Sequence, residues 1–258
     1  MKISFSKYQG TGNDFVVLDN RDGAYDGLTH GQVAFLCDRK FGIGSDGLMM
    51  LENADGFDFK MRYYNADGQE GSMCGNGGRC LVQFAHDKGI VKQSYQFTAS
   101  DGPHDAIILD NGLIKLKMQD VHGVEVHGTD KILNTGSPHF IQYVDGVKEV
   151  DVFQQGRNIR YSESFKEAGI NVNFVERVGN GIKIRTYERG VENETLSCGT
   201  GATAAALASS EKMGPQLTNV EVEGGALQIA FDRIGNQEFN NIWLIGPVQF
   251  VYSGTIEI

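Results

Sequence analysis

Proline is scarce in this 258-residue chain, with four in all, and cysteine is equally scarce. The four cysteines, Cys37, Cys74, Cys80 and Cys198, are too few for a disulfide scaffold at this length. They form no Cys-x-x-Cys, and no His-x-x-x-His accompanies them, so no structural zinc site and no metal is expected. No apolar run reaches the roughly 20 residues that span a bilayer. The opening MKISFSKYQGTGNDF lacks the apolar stretch of a secretory signal. A cytoplasmic location and no membrane partner are therefore expected. Positive charge is also in deficit: the net charge is −10, which argues against nucleic acid or an acidic membrane as partner. No lysine-centred motif points to pyridoxal phosphate, and no cofactor is expected.

Glycine, in contrast, is plentiful, at 34 residues. Spread through strand-like segments, it implies many tight turns rather than disorder. Most periodic segments read as strands: 3–8, 14–19, 57–65, 105–118, 139–144, 172–188, 220–231 and 242–252. Asn111-Gly112 and Asn180-Gly181 lie between alternating apolar runs, a strong hairpin signal. Three helices are predicted, over 30–42, 76–88 and 200–213. Gly89 would end the second, and Gly214-Pro215 would stop the third. The third is small and apolar on every face, the mark of a buried helix.

Two stretches run in parallel. FKMRYYNADGQEGSMCGNG and IKIRTYERGVENETLSCGTG each read strand, loop, cysteine, glycine turn, helix. Asn65 precedes Cys74 by nine residues, and Glu188 precedes Cys198 by ten. The pattern predicts an internal duplication and an α+β fold. It would have two pseudo-symmetric lobes, each a mostly antiparallel sheet wrapped around a central helix. Residues 1–118, joined by a returning strand at 247–258, would form the N-terminal lobe, and 119–246 the C-terminal lobe.

Cys74 and Cys198 each fall at a predicted helix N-terminus, where orphan N–H groups and the macrodipole favour a thiolate. The same N–H groups suit a carboxylate. Two such ends facing one another would grip one carboxylate with a sulfur on each side. That arrangement suits inversion of an amino-acid α-carbon: one thiolate takes the proton, and the opposing thiol returns one to the far face. Charge developing on the carboxylate would be met by the helix ends. Cys37 and Cys80 read as small buried hydrophobes. A non-catalytic thiol protein is the rival of another class, but it has no need of two carboxylate cradles.

At these residues the sequence resembles the diaminopimelate epimerase family. GTGNDFVVLD, GIGSDGL, YNADGQEGSMCGNGGRC, GSPHF, INVNFVE, YERGVENETLSCGTGATA and YSGTIEI carry the likeness, from Gly10 to the C-terminus. The resemblance implies lobes that are each a sheet barrel around the central helix, with the active site in the cleft between them. It implies a small-molecule substrate, diaminopimelate, epimerised without a cofactor in lysine and peptidoglycan precursor synthesis. It implies Cys74 as thiol and Cys198 as thiolate, with roles exchanging with direction, and His139 and Glu188 as further catalytic groups. Asn13, Asn65, Asn171, Glu188 and Arg189 would bind substrate. The backbones of Gly75, Asn76, Gly199 and Thr200 would cradle the α-carboxylate. A homodimer with Tyr252 at its contact is likewise implied. Two residues depart from the family pattern. Gly47 stands where a glutamine is common, and Ser137 stands where an asparagine is usual. A sibling enzyme acting on proline or hydroxyproline is the nearest rival.

Overall fold

A computed structural model describes all 258 residues. The chain divides into two units, Met1–Leu116 with Gly246–Ile258, and Lys117–Ile245. In the first, β1 (Lys2–Gly10) and β2 (Asn13–Asp19) form a hairpin. Its turn residues Thr11 and Gly12 both have positive φ, 51° and 85°, as a two-residue hairpin turn of the right twist requires. The helix α1 (His30–Cys37) crosses over to β3 (Gly47–Glu52), which lies parallel to β2, and β4 (Phe59–Asn65) pairs antiparallel with β3. A second helix, α2 (Gly75–Asp87), crosses to β5 (Ser94–Ala99), parallel to β4. An antiparallel run of β6 (Gly102–Ile108) and β7 (Ile114–Lys117) follows.

The second unit starts with β8 (Val121–His122) and β9 (Glu125–His127), then repeats that order. The strands β10 (Asp130–Asn134) and β11 (Pro138–Tyr143) pair antiparallel, and α3 (Val152–Arg160) crosses to β12 (Asn171–Val178), parallel to β11. Next come β13 (Gly181–Glu188), antiparallel to β12, and a short return strand β14 (Asn193–Thr195). The helix α4 (Gly199–Ser209) leads to β15 (Gly214–Val222), parallel to β13, and β16 (Gly225–Arg233) and β17 (Glu238–Gly246) follow antiparallel. The last strand, β18 (Gln249–Glu257), pairs antiparallel with β1. Each unit is thus a mixed sheet with two parallel pairings. A helical crossover returns the chain in the same direction, so each helix brings one parallel pair.

Burial on both faces organises each sheet. In β2 and β3, Val16, Leu18, Leu48 and Met50 cluster with Val33 and Leu36 of α1. The alternate residues Phe15, Val17, Met49 and Leu51 are buried too. They lie on the α2 side, where a Cβ at Gly77 would fall 1.7 Å from Met49 Cε. All six residues of β3 are therefore buried, which removes the alternation that marks a half-exposed strand. In the second unit α4 is buried from Gly201 to Ala208. Its alanines let Val175, Ile184, Val220, Ile229 and Leu244 close around it.

The elements differ from the sequence reading at several ends. The first helix stops at Cys37, not 42, because the Asp38 carboxylate takes the N–H groups of Lys40 (2.7 Å) and Phe41 (2.8 Å). The last helix stops at Ser209, and Gly214-Pro215 opens β15 instead. Cations from other elements cap its carbonyl end: Lys131 on Ala208, Arg177 on Ser209 (3.1 Å) and Arg233 on Ser210 (2.7 Å). In the hairpin at 178–181 the turn is Gly179-Asn180, one residue earlier than Asn180-Gly181, since Val178 pairs with Gly181. The helix α3 and the strand β3 were not anticipated.

Candidate active site

The two helix starts are built alike. Cys74 is the N-cap of α2 (φ −113°, ψ 119°) and Cys198 the N-cap of α4 (φ −116°, ψ 108°). Neither cap side chain accepts a capping bond from a backbone N–H of its first turn. The cysteine carbonyls accept the first helical bonds, from Gly78 (2.7 Å) and Ala202 (2.8 Å). The N–H groups of Gly75, Asn76 and Gly77, and of Gly199, Thr200 and Gly201, consequently have no partner within their own helices. Both ends suit an anion.

In the first unit the polar groups around Cys74 have a fixed direction. Arg79, wholly buried, donates to the Gly75 carbonyl (3.3 Å) and to Asn76 Oδ1 (3.1 Å), while its Nε has no hydrogen-bond partner. Burial pulls this guanidinium down to about 10, which leaves it cationic at neutral pH. Asn76 Nδ2 donates to Asn13 Oδ1 (3.3 Å), and Asn13 Nδ2 donates to Asp46 Oδ2 (2.7 Å). A guanidinium only donates and a carboxylate only accepts, so both amide orientations follow. Asn13 Oδ1 also lies 3.7 Å from Cys74 Sγ. An amide oxygen can only receive a proton, and the contact favours the neutral thiol. Asp46 is held in turn by Arg39 (2.8 Å), which also grips Asp14 (2.6 Å), and Lys7 reaches Asp14 at 2.7 Å. Burial raises the Asp14 carboxyl, but Arg39 and Lys7 outweigh it and bring it down to about 2.

Asn65 ends β4 in an exposed position, opposite Gly47 in the strand register. Its backbone is tied into a turn through Gln69 O (2.9 Å) and Gly68 N (2.9 Å). A Cβ at Gly47 would lie 2.6 Å from the Tyr63 ring, so that ring takes the space a side chain would need. Cys80, one and a half turns into α2, is wholly buried, and burial pushes its thiol up to about 12. Burial raises Cys37 as well.

The second unit gathers more groups around its cysteine. Cys198 Sγ lies 3.4 Å from Thr200 Oγ1, which is 3.2 Å from Ser137 Oγ, which is 2.9 Å from His139 Nε2. His139 Nδ1 meets Asn173 Nδ2 at 3.1 Å. His139 is fully buried, and burial, aided by the Arg189 charge, pushes it down to about 3. It is a neutral imidazole at physiological pH, linked to Cys198 through two hydroxyls. Asn171 Nδ2 donates to Ser137 Oγ (3.2 Å) and the Pro138 carbonyl (3.0 Å), while its Oδ1 accepts from the Arg189 N–H (2.9 Å). Glu188 accepts from Thr195 Oγ1 (2.9 Å). The Arg189 guanidinium is exposed and donates to the Ala168 carbonyl (3.1 Å).

The first unit thus brings Asn13, Cys74 and Asn76 together, and it places Asn65 exposed at the end of β4. The second joins His139, Asn171, Arg189, Thr200 and Cys198 in one network, with Glu188 on its rim. Arg79, Asp46 and Asn173 were not singled out from sequence. Asn173 did leave a signal: Asn171 and Asn173 are polar residues two apart within the otherwise apolar run INVNFV, hence on one face of the strand.

Two repeated sheet-and-helix units, each with a cysteine at the tip of its buried helix, define a two-repeat epimerase and PhzF-like fold. The chain is similar to a Bacillus anthracis phenazine biosynthesis protein of the PhzF family, with a TM-score of 0.78, 13 % identity and 100 % of both chains covered. It is also similar to a hydroxyproline epimerase from Agrobacterium vitis, with a TM-score of 0.72 and 12 % identity over 99 % of this chain and 91 % of that one. At such identities the likeness is one of fold. Within that fold, the diaminopimelate epimerase family matches twice, at residues 5–124 and 132–251. A diaminopimelate epimerase of Flavobacterium psychrophilum is 49 % identical over 253 residues, 97 % of this chain and 98 % of that one. The chain belongs to the diaminopimelate epimerase family.

Proposed function

We propose that this chain interconverts L,L- and meso-diaminopimelate, in the supply of lysine and peptidoglycan precursors, by proton transfer between Cys74, Cys198 and one α-carbon. The observation that carries the reading is the matched pair of cysteine N-caps, alike in backbone angles and both without a capping side chain. In the direction that starts from the L,L isomer, one sulfur removes the α-proton as a thiolate and the other, as a thiol, protonates the opposite face. The first-turn N–H groups at Gly75, Asn76, Gly199 and Thr200 receive the α-carboxylate, whose negative charge grows as the carbanion forms. Glu188 binds an ammonium. The exposed Arg189 guanidinium, with donors to spare, binds the distal carboxylate. Asn13, Asn65 and Asn171 supply further polar contacts.

The test is α-proton exchange followed by NMR in D₂O, with L,L-diaminopimelate and L-proline offered separately. Exchange and inversion of the first are expected. Exchange of proline alone would replace the substrate and keep the chemistry. The reading includes a cytoplasmic location, in keeping with a chain in which no helix is long and apolar enough to cross a membrane. It also includes a homodimer through β18, where Phe250, Val251 and Tyr252 are exposed. Sedimentation of the pure protein as a monomer at micromolar concentration would remove that last element.

A further inference from the structure

The hydrogen bonds behind Cys198 can run in only one direction. The atom of the Asn173 side chain that faces the Phe140 carbonyl (3.1 Å) must be the NH₂, because a carbonyl cannot donate. The Thr186 hydroxyl, 3.0 Å from Asn173 Oδ1, agrees with that orientation. The same NH₂ meets His139 Nδ1, so Nδ1 is the acceptor nitrogen of a neutral ring and Nε2 carries the proton. Nε2–H then donates to Ser137 Oγ. Asn171 Nδ2, whose identity the Pro138 carbonyl fixes, donates to the same oxygen. With both lone pairs of Ser137 taken, its own proton goes to Thr200 Oγ1 (3.2 Å). Thr200 accepts there, and its remaining proton lies toward Cys198 Sγ at 3.4 Å.

We infer that Asn173, His139, Ser137 and Thr200 form a hydrogen-bond relay of fixed polarity that aims the Thr200 hydroxyl proton at Cys198 and so holds that sulfur as a thiolate. Asn173, Ser137 and the Thr200 side chain are positioning residues. They act through one another on the sulfur, and the Thr200 backbone N–H keeps its separate place in the carboxylate cradle. The relay needs no proton transfer, since every member keeps its own proton. It also accounts for Ser137: a hydroxyl that accepts from His139 and donates to Thr200 has the required polarity. The charged and titratable groups on the surrounding elements leave that polarity intact. His139 is neutral, Glu188 is held by Thr195, and Arg189 is engaged with Ala168. Lys131, Arg177 and Arg233 sit at the opposite end of α4.

The proposal rests on the reading above only for the catalytic role of Cys198. Its test uses no substrate, so a wrong substrate assignment leaves the test intact. The full-length protein is alkylated with iodoacetamide across pH 5–10, and modification at Cys198 and Cys74 is followed separately by peptide mass spectrometry. Thr200→Val should raise the Cys198 midpoint by about one pH unit, which makes its alkylation about tenfold slower below the midpoint. Ser137→Ala should shift it in the same direction by less, because the Thr200 hydroxyl can then rotate. Thr200→Ser should restore the wild-type profile, and Cys74 should be unmoved in every variant. Circular dichroism checks that each variant is folded, and Thr200→Ala replaces Thr200→Val if the latter is not. A wild-type Cys198 midpoint in Thr200→Val, or a Thr200→Ser profile that follows Thr200→Val, overturns the relay.

Discussion

His139 titrates near 6.5 when exposed, and burial, with Arg189 nearby, pushes it down to about 3 in the fold. Between those two values the unfolded chain binds a proton that the folded protein refuses. Stability from this residue is therefore intact above about pH 6.5 and is lost as pH falls toward 3. Asp14, depressed from 3.8 to about 2, adds its own loss only below that upper value. The expected outcome is a urea midpoint that falls from pH 7.5 to pH 4.5 in the wild type, and falls less in His139→Gln. Equal slopes for the two proteins would contradict the buried neutral ring. At this scale the sequence made the cysteines legible, since each precedes Gly-x-Gly at a helix start. Asn173 and Asp46 were obscured because their roles depend on which strands become neighbours. Asn173 reaches His139 only because β11 and β12 pair in parallel with His139 opposite Asn171.

Helix α4 meets its surroundings through residues that have no room to grow. A Cβ at Gly201 would lie 2.5 Å from Asn173 Oδ1 and 3.3 Å from Cys198 Sγ. On α3 a Cβ at Gly156 would lie 2.4 Å from Tyr187 Cβ, in a cluster away from the relay. Both alanine variants should lose about 1–3 kcal/mol of stability by overpacking. Gly201→Ala should also lower kcat by about 10²-fold, the scale of a misplacement of ~1 Å in a reacting group. Gly156→Ala should turn over normally once folded. Urea denaturation and steady-state kinetics check the pair, and normal kcat in Gly201→Ala would contradict the tight seat of Cys198. The physics of burial decided which elements were legible. The strand β4 and the hairpins showed themselves by alternation and turn residues. The strand β3 is buried on both faces and gives no alternation. The helix α3 offers only Val152 and Gly156 to the interior of a polar sequence, so its apolar face is short.

Across the whole molecule one order of elements occurs twice: hairpin, crossover helix, antiparallel pair, crossover helix, meander. The doubled cysteine motif made that repetition readable before any coordinates, because strand, loop, cysteine and helix recur at nearly equal spacing. The sequence did not reveal how differently the two copies treat their sulfur. Around Cys74 an amide oxygen faces the thiol and a buried arginine braces the helix start. Around Cys198 a hydroxyl faces the sulfur instead. The duplicated frame is therefore symmetric in backbone and asymmetric in proton inventory, which suits the proposed pairing of one acid with one base.

Inversion of L,L-diaminopimelate in D₂O by Cys74→Ala and Cys198→Ala, followed by NMR and chiral chromatography, tests that division of labour most directly. The wild type should invert one α-carbon and install deuterium there. Each variant, with its circular dichroism unchanged, should invert more slowly by at least the roughly 10²–10⁴-fold typical of a lost general acid or base. Wild-type inversion by either folded variant would contradict the two-thiol account.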